Sequence, residues 1–123
     1  MKIYIAHSSN FNYQDELYKP LKNELKLNHV ELILPHENSI EGKNTYDIMS
    51  KCDLLLAEVS YASTGLGIEL GRAESFDLPI IAIHREDRKP SSSIKFVTNR
   101  IHSYQSPREM IDLIQKIIKN RMN

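Results

Sequence analysis

The seven residues DLLLAEV, positions 53–59, constrain the fold of this chain more than any other stretch. The run is nearly unbroken in its apolar character and has the length of one strand. Without polar alternation it must be covered on both faces, the situation of an inner strand in a parallel sheet. A second such run, LPIIAIH at 78–84, follows it. Two parallel strands need a crossover, so the intervening STGLGIELGRAESF predicts a tight turn followed by a helix over about Leu66 to Phe76.

The same alternation runs through the rest of the chain. Ile3 to Ala6 reads as a first strand. Residues 13–27 place Leu17, Leu21, Leu25 and Leu27 at helical spacing, with a kink or restart expected at Pro20. HVELILP (29–35) reads as a second strand ended by Pro35, HENSIEGKN (36–44) as a loop, and Thr45 to Lys51 as a helix. REDRKPSSS (85–93) is a polar loop and RIHSY (100–104) a last strand. In SPREMIDLIQKIIKN, Ser106 is the N-cap, Pro107 the first helical residue and Glu109 the partner in a capping box. Ile111, Ile114, Ile117 and Ile118 then line one helical face. This order predicts one α/β domain over residues 1–123: a five-stranded parallel sheet with helices on both faces, flavodoxin-like or Rossmann-like.

Charge and cysteine usage narrow the partners. Lys plus Arg equals Asp plus Glu, 16 against 16, so no net field recruits a nucleic-acid polymer or an anionic membrane, and self-association meets no charge barrier. Cys52 is the sole cysteine, which excludes an intrachain disulfide and a zinc site built on paired cysteines. His29, His36 and His102 have no metal-ligand spacing, and neither a metal nor a cofactor is expected. The start, MKIYIAHSSN, has too short an apolar run for a signal peptide, and no run approaches the ~20 residues of a membrane helix; the expected location is cytoplasmic.

In open α/β sheets ligands bind beyond the carboxyl ends of the strands. Three loops should meet there. The first follows Tyr4 and contains His7, Ser8 and Asn10. The second runs from Glu58 to Ser63 into the glycine turn, and the third from His84 and Arg85 to Ser93. Asp53 begins its strand and belongs to the opposite edge. Gly65 and Gly67 would permit positive φ and close backbone approach; Ser63 or Thr64 could cap the helix or offer a hydroxyl to phosphate. By spacing alone Glu69 is an ordinary acid in a first helical turn. GLG lacks the full G-x-G-x-x-G fingerprint and follows the third strand, so a dinucleotide fold motif is not met. Glu58 reads as a buried structural acid and Cys52 as a core thiol. His84 could pack or face the site. Arg85, Arg88 and Lys89 could attract phosphate or form a solvated loop. Ser93 could be filler or a cap.

The residues AEVSYASTGLGIELGRA, followed by LPIIAIHR, resemble the nucleoside 2-deoxyribosyltransferase superfamily, and within it the small 2'-deoxynucleoside 5'-phosphate N-hydrolase branch. That branch carries A-E-V-[ST]-x-x-S-x-G-x-G-x-E-L-G-R-A, met here from Ala57 to Ala73; IYIAHS is a weaker match to the family's first strand. The resemblance implies a glutamate nucleophile at Glu69, held by Tyr4, and 5'-phosphate binding by Ser8, Ser63 and Ser93 around Gly65 and Gly67. In the hydrolases the last serine serves the neighbouring subunit, which implies a homodimer. The family aspartate that protonates the leaving base falls on Thr45, and Asp47, two residues on, is its candidate substitute. The family's first-loop arginine is replaced by His7 and Asn10. The implied reaction is cleavage of the base–deoxyribose bond of a deoxynucleoside 5'-monophosphate or deoxynucleoside, by hydrolysis or transfer, through a glycosyl-enzyme intermediate. The alternative is a nucleotide-binding module of the same fold with little or no turnover.

Overall fold

In the computed structural model, which describes residues 1–37 and 45–122, five strands form one parallel sheet in the order β2-β1-β3-β4-β5. The strands are β1 (Lys2–His7), β2 (Glu31–Ile33), β3 (Leu54–Glu58), β4 (Ile80–Arg85) and β5 (Ile101–Tyr104). The helices are α1 (Lys19–Glu24), entered through a π-helical turn at Gln14–Tyr18, then α2 (Thr45–Ser50), α3 (Thr64–Ser75) and α4 (Pro107–Met122). This is the predicted α/β architecture, and its strand order is the flavodoxin-like one.

Strand periodicity decides which side chain meets which helix. Ile3 and Ile5 of β1, with Leu54 and Leu56 of β3, pack beneath α1 and α4, among Leu21, Met110, Ile114 and Ile118. Tyr4 and Ala6, with Leu55 and Ala57, face the other layer, where Leu66, Leu70 and Ala73 of α3 and Met49 of α2 close over them. The sheet is therefore covered on both faces, as the apolar runs required.

The boundaries differ from expectation in physically readable ways. The helix expected to reach Leu27 ends at Glu24, because Leu25 is already extended (φ −74°, ψ 120°). Leu25 and Leu27 still pack against the core, so their spacing reported burial rather than helix. Pro20 sits at the start of α1, where its missing N–H costs nothing, and the helix restarts there. The second strand shrinks to Glu31–Ile33, an edge strand paired only with Lys2 to Tyr4. A 3-10 turn at Ile94–Phe96, unmarked in the sequence, buries Ile94. At α4 the Ser106 hydroxyl accepts the Glu109 N–H at 3.1 Å, the N-cap expected. Most of the 36–44 loop lies outside the described residues. Among the described residues no helix is long and apolar enough to cross a membrane.

Candidate active site

The chain turns from one side of the sheet to the other between β1 and β3, and a cavity of about 400 Å³ opens at the carboxyl ends of these strands. It is lined by His7 and Ser9 after β1, Pro35 and His36 after β2, Thr45 of α2, and Ser63, Gly65, Glu69 and Arg72 along the start of α3.

Glu69 is fixed from beneath. Tyr4 is fully buried and points towards α3, and its hydroxyl donates to Glu69 Oε2. Burial and the adjacent glutamate charge push the phenol well above its ordinary pKa, so it remains a donor. Thr45 hydrogen-bonds the same phenol and accepts from Arg72 Nη1 at 3.4 Å. Burial pushes the Glu69 carboxyl above the usual range, opposed by the Tyr4 hydrogen bond and the Arg72 charge. The result is one carboxylate, dry on its inner side, with one oxygen held and the other towards a nucleoside-sized space.

The α3 entry supplies an anion-binding end. Ser63 is the N-cap in extended conformation; its Oγ accepts the Leu66 N–H at 3.2 Å and its carbonyl accepts the Gly67 N–H at 3.1 Å. The N–H groups of Thr64 and Gly65 remain for a ligand at the helix start. The glycines correct the expected turn geometry. Gly65, Gly67 and Gly71 all lie inside α3, none has positive φ, and a Cβ at any of them would meet nothing within 4 Å. Each glycine costs a helix about 1 kcal/mol relative to alanine.

Other candidate residues fall elsewhere. Ser8 is fully buried, its Oγ accepting the Asn10 N–H at 3.0 Å, and Ser9 takes its place on the cavity wall. Asn10 ties its loop to the Ala62 carbonyl at 3.1 Å. Asp47 is exposed and does not line the cavity. It is two residues beyond Thr45, about 200° around the helix, so the two cannot face one point. Ser93 lines a neighbouring cavity of about 200 Å³ across α3, together with Ser63, Gly67, Gly71 and Ile94. Its side chain does not cap the 3-10 turn that it precedes. Glu58 lies on the opposite face from Tyr4, where it accepts from the Ser60 N–H at 2.6 Å, the Ser60 hydroxyl at 2.9 Å and the Tyr104 hydroxyl. It is the buried structural acid expected. His84 binds the Arg85 and Arg88 carbonyls, and Arg85 pairs with Asp87. Arg88 stacks over Tyr61, 4.2 Å from the ring centre.

Arg72 and His36 were not picked out by the sequence. Arg72 carries a signal in hindsight, standing three residues after Glu69 on one helical face. His36 follows β2 and so belongs to the carboxyl edge by topology alone. A hollow of similar size at the opposite edge, lined by Glu74, Asp77, Arg100 and Arg121 among others, holds both charge signs and none of the predicted site residues.

No family model and no curated protein sequence matches the chain. Solved structures do. The Clostridium botulinum CMP N-glycosidase BcmB aligns over 93% of this chain and 98% of its own, with TM-score 0.67 and 19% identity. A conserved protein from Enterococcus faecalis V583 aligns over 95% and 98%, with TM-score 0.63 and 14% identity. The chain has the fold of these two proteins. The likeness runs almost end to end in each, so it is of the whole domain rather than of a shared sheet fragment.

Proposed function

We propose that the chain is an N-glycosidase acting on deoxyribonucleoside 5'-monophosphates, with Glu69 as nucleophile. The observation that carries this reading is the Glu69 carboxylate, held by buried Tyr4 at the wall of a nucleoside-sized cavity. The motif from Ala57 to Ala73 and the shared fold of a CMP N-glycosidase support it. In this scheme the 5'-phosphate rests at the start of α3, on the Ser63 hydroxyl and the Thr64 and Gly65 N–H groups, where Gly65 admits close approach. The sugar then lies over Glu69, whose outer oxygen attacks the anomeric carbon as the base departs. Water completes hydrolysis; a second base would complete transfer.

Ser93 enters this scheme across a homodimer, as the family resemblance implies; within one chain it lines the neighbouring cavity across α3 and not the one that holds Glu69. Ile68 and Phe96, 51% and 75% exposed, are apolar side chains available to a second copy. Sedimentation at micromolar concentration giving only monomer would remove Ser93 from the site.

The test is release of free base, followed by chromatography, from a panel of deoxynucleotides, deoxynucleosides and CMP. The expected result is release from deoxynucleoside monophosphates that is lost in Glu69→Ala. Preference for CMP would overturn the sugar assignment, and undiminished release by the variant would overturn the nucleophile. A second reading, a nucleotide-binding module without turnover, is favoured by Thr45 at the position of the family's acid. Calorimetric binding of a nucleotide with no base release would decide for it.

A further inference from the structure

We propose that His36 is the general acid of this site, the group that gives the departing base its proton. The inference rests on the glycosidase reading above. Among the described residues Glu69 is the sole carboxylate lining the cavity, and a nucleophile cannot also protonate the leaving group in the same step. The remaining polar lining is Ser9, Thr45, Ser63, Arg72, His7 and His36. Hydroxyl and guanidinium groups hold their protons far too tightly, so among the described lining residues the imidazoles are the groups able to act near neutral pH.

Hydrogen bonding separates the two. His7 is buried, with Nδ1 2.8 Å from the Ser8 carbonyl and Nε2 2.7 Å from the Tyr18 hydroxyl. A carbonyl only accepts, so Nδ1 carries the proton and Nε2 accepts from Tyr18. Both nitrogens are occupied, and burial lowers the His7 pKa to about 4, so this ring is neutral and fixed. His36 is exposed, and its backbone N–H donates to the same Tyr18 hydroxyl at 3.1 Å. Its ring centre stands 5.1 Å from that of His7 and 5.4 Å from that of Tyr13. Tyr18 thus anchors both histidines, and a neutral His7 presents no like charge to an imidazolium at His36. Of the other charged groups near it, Glu69 and Arg72 line the same cavity, while Glu37 is engaged by Lys22 at 2.5 Å.

The step balances. The C1'–N bond breaks with its electron pair going to the base, and that nitrogen system takes the proton from the His36 imidazolium as Glu69 forms an ester bond to C1'. Water then attacks C1', the ester bond breaks to regenerate the carboxylate, and the proton shed by water returns to His36.

The experiment compares 2'-deoxyguanosine 5'-monophosphate with its 7-methyl derivative, whose base departs neutral without an added proton. His36→Gln is expected to lose on the order of 100-fold or more in kcat on the unmethylated nucleotide, the usual span of general acid catalysis, while keeping turnover of the methylated one. Glu69→Gln is expected to lose both. Equal loss on both nucleotides in His36→Gln, or a selective loss that appears in Asp47→Asn instead, overturns the assignment while the glycosidase reading stands. A wild-type protein inactive on both and on every member of the panel above overturns the glycosidase reading and this assignment with it.

Discussion

Replacing Glu69 by Gln should make the protein more stable and inactive at once. The carboxyl is half-buried, and burial raises its pKa above the ordinary range despite a donor from Tyr4 and the charge of Arg72. A carboxyl whose pKa is higher folded than unfolded favours the fold when protonated; that contribution is complete below the unfolded value and lost as pH rises through the folded one. At neutral pH the ionised group is therefore a net cost. Glutamine resembles the protonated acid, and its amide oxygen can still accept from Tyr4. The exchange gives up about 1 kcal/mol, the difference between a charged and a neutral hydrogen bond, and at most about 1 kcal/mol of attraction to Arg72. Burial already outweighs both opposing effects in the wild type. A gain of about 0.5–2 kcal/mol is expected, the usual yield of a single stabilising substitution, or roughly 2–8 °C in Tm for a domain of this size. Thermal unfolding of both proteins from pH 7 down to about pH 4 reads it. The gap should be widest at neutral pH and close as the wild-type acid becomes protonated. A Glu69→Gln protein melting at or below wild type at pH 7, or a gap indifferent to pH, would refute the reasoning.

Four further outcomes follow from the same geometry. Tyr4→Phe removes the hydrogen bond that pulls the Glu69 pKa down; the acidic limb of kcat/KM should move to higher pH, and an unmoved limb would show that Tyr4 does not tune the nucleophile. Gly67→Ala should stabilise α3 by about 0.5–1 kcal/mol in chemical denaturation, since the new Cβ meets nothing within 4 Å. Gly65→Ala should stabilise similarly but weaken nucleotide binding in calorimetry, because its Cβ enters the cavity. Tyr104→Phe removes one of the donors to buried Glu58 and should cost about 1–3 kcal/mol of stability, with base release by the folded protein unchanged; a loss of base release at full folding would place Glu58 in the chemistry.

The sequence carried the sheet because its inner strands are buried on both faces, and burial of that kind leaves continuous runs such as Leu54 to Ala57. Edge elements left weaker marks: β2 needs only three residues, and the polar end of its run looks no different from the loop beyond. Leu25 and Leu27 misled for a related reason, since helical spacing and plain burial coincide when an extended segment lies along the same core. The glycines of α3 have helical and not turn geometry; a glycine pair near a helix start is compatible with either, and spacing does not separate the two. The two acids that accept from buried tyrosines show most sharply what pattern can and cannot decide. Glu58 and Glu69 each receive a buried tyrosine hydroxyl, from Tyr104 and Tyr4. The two pairs differ in side. Alternation along β1 and β3 sends Tyr4 with Leu55 and Ala57 towards α3, and Glu58 with Leu54 and Leu56 towards α4. On the α4 side Ser60 and Tyr104 satisfy the acid and leave no access; on the α3 side one oxygen of Glu69 is satisfied and the other meets the cavity. That parity could be counted from the sequence once β1 and β3 were in register. The distance from His36 to the same cavity could not, because it depends on a loop whose path no periodicity records.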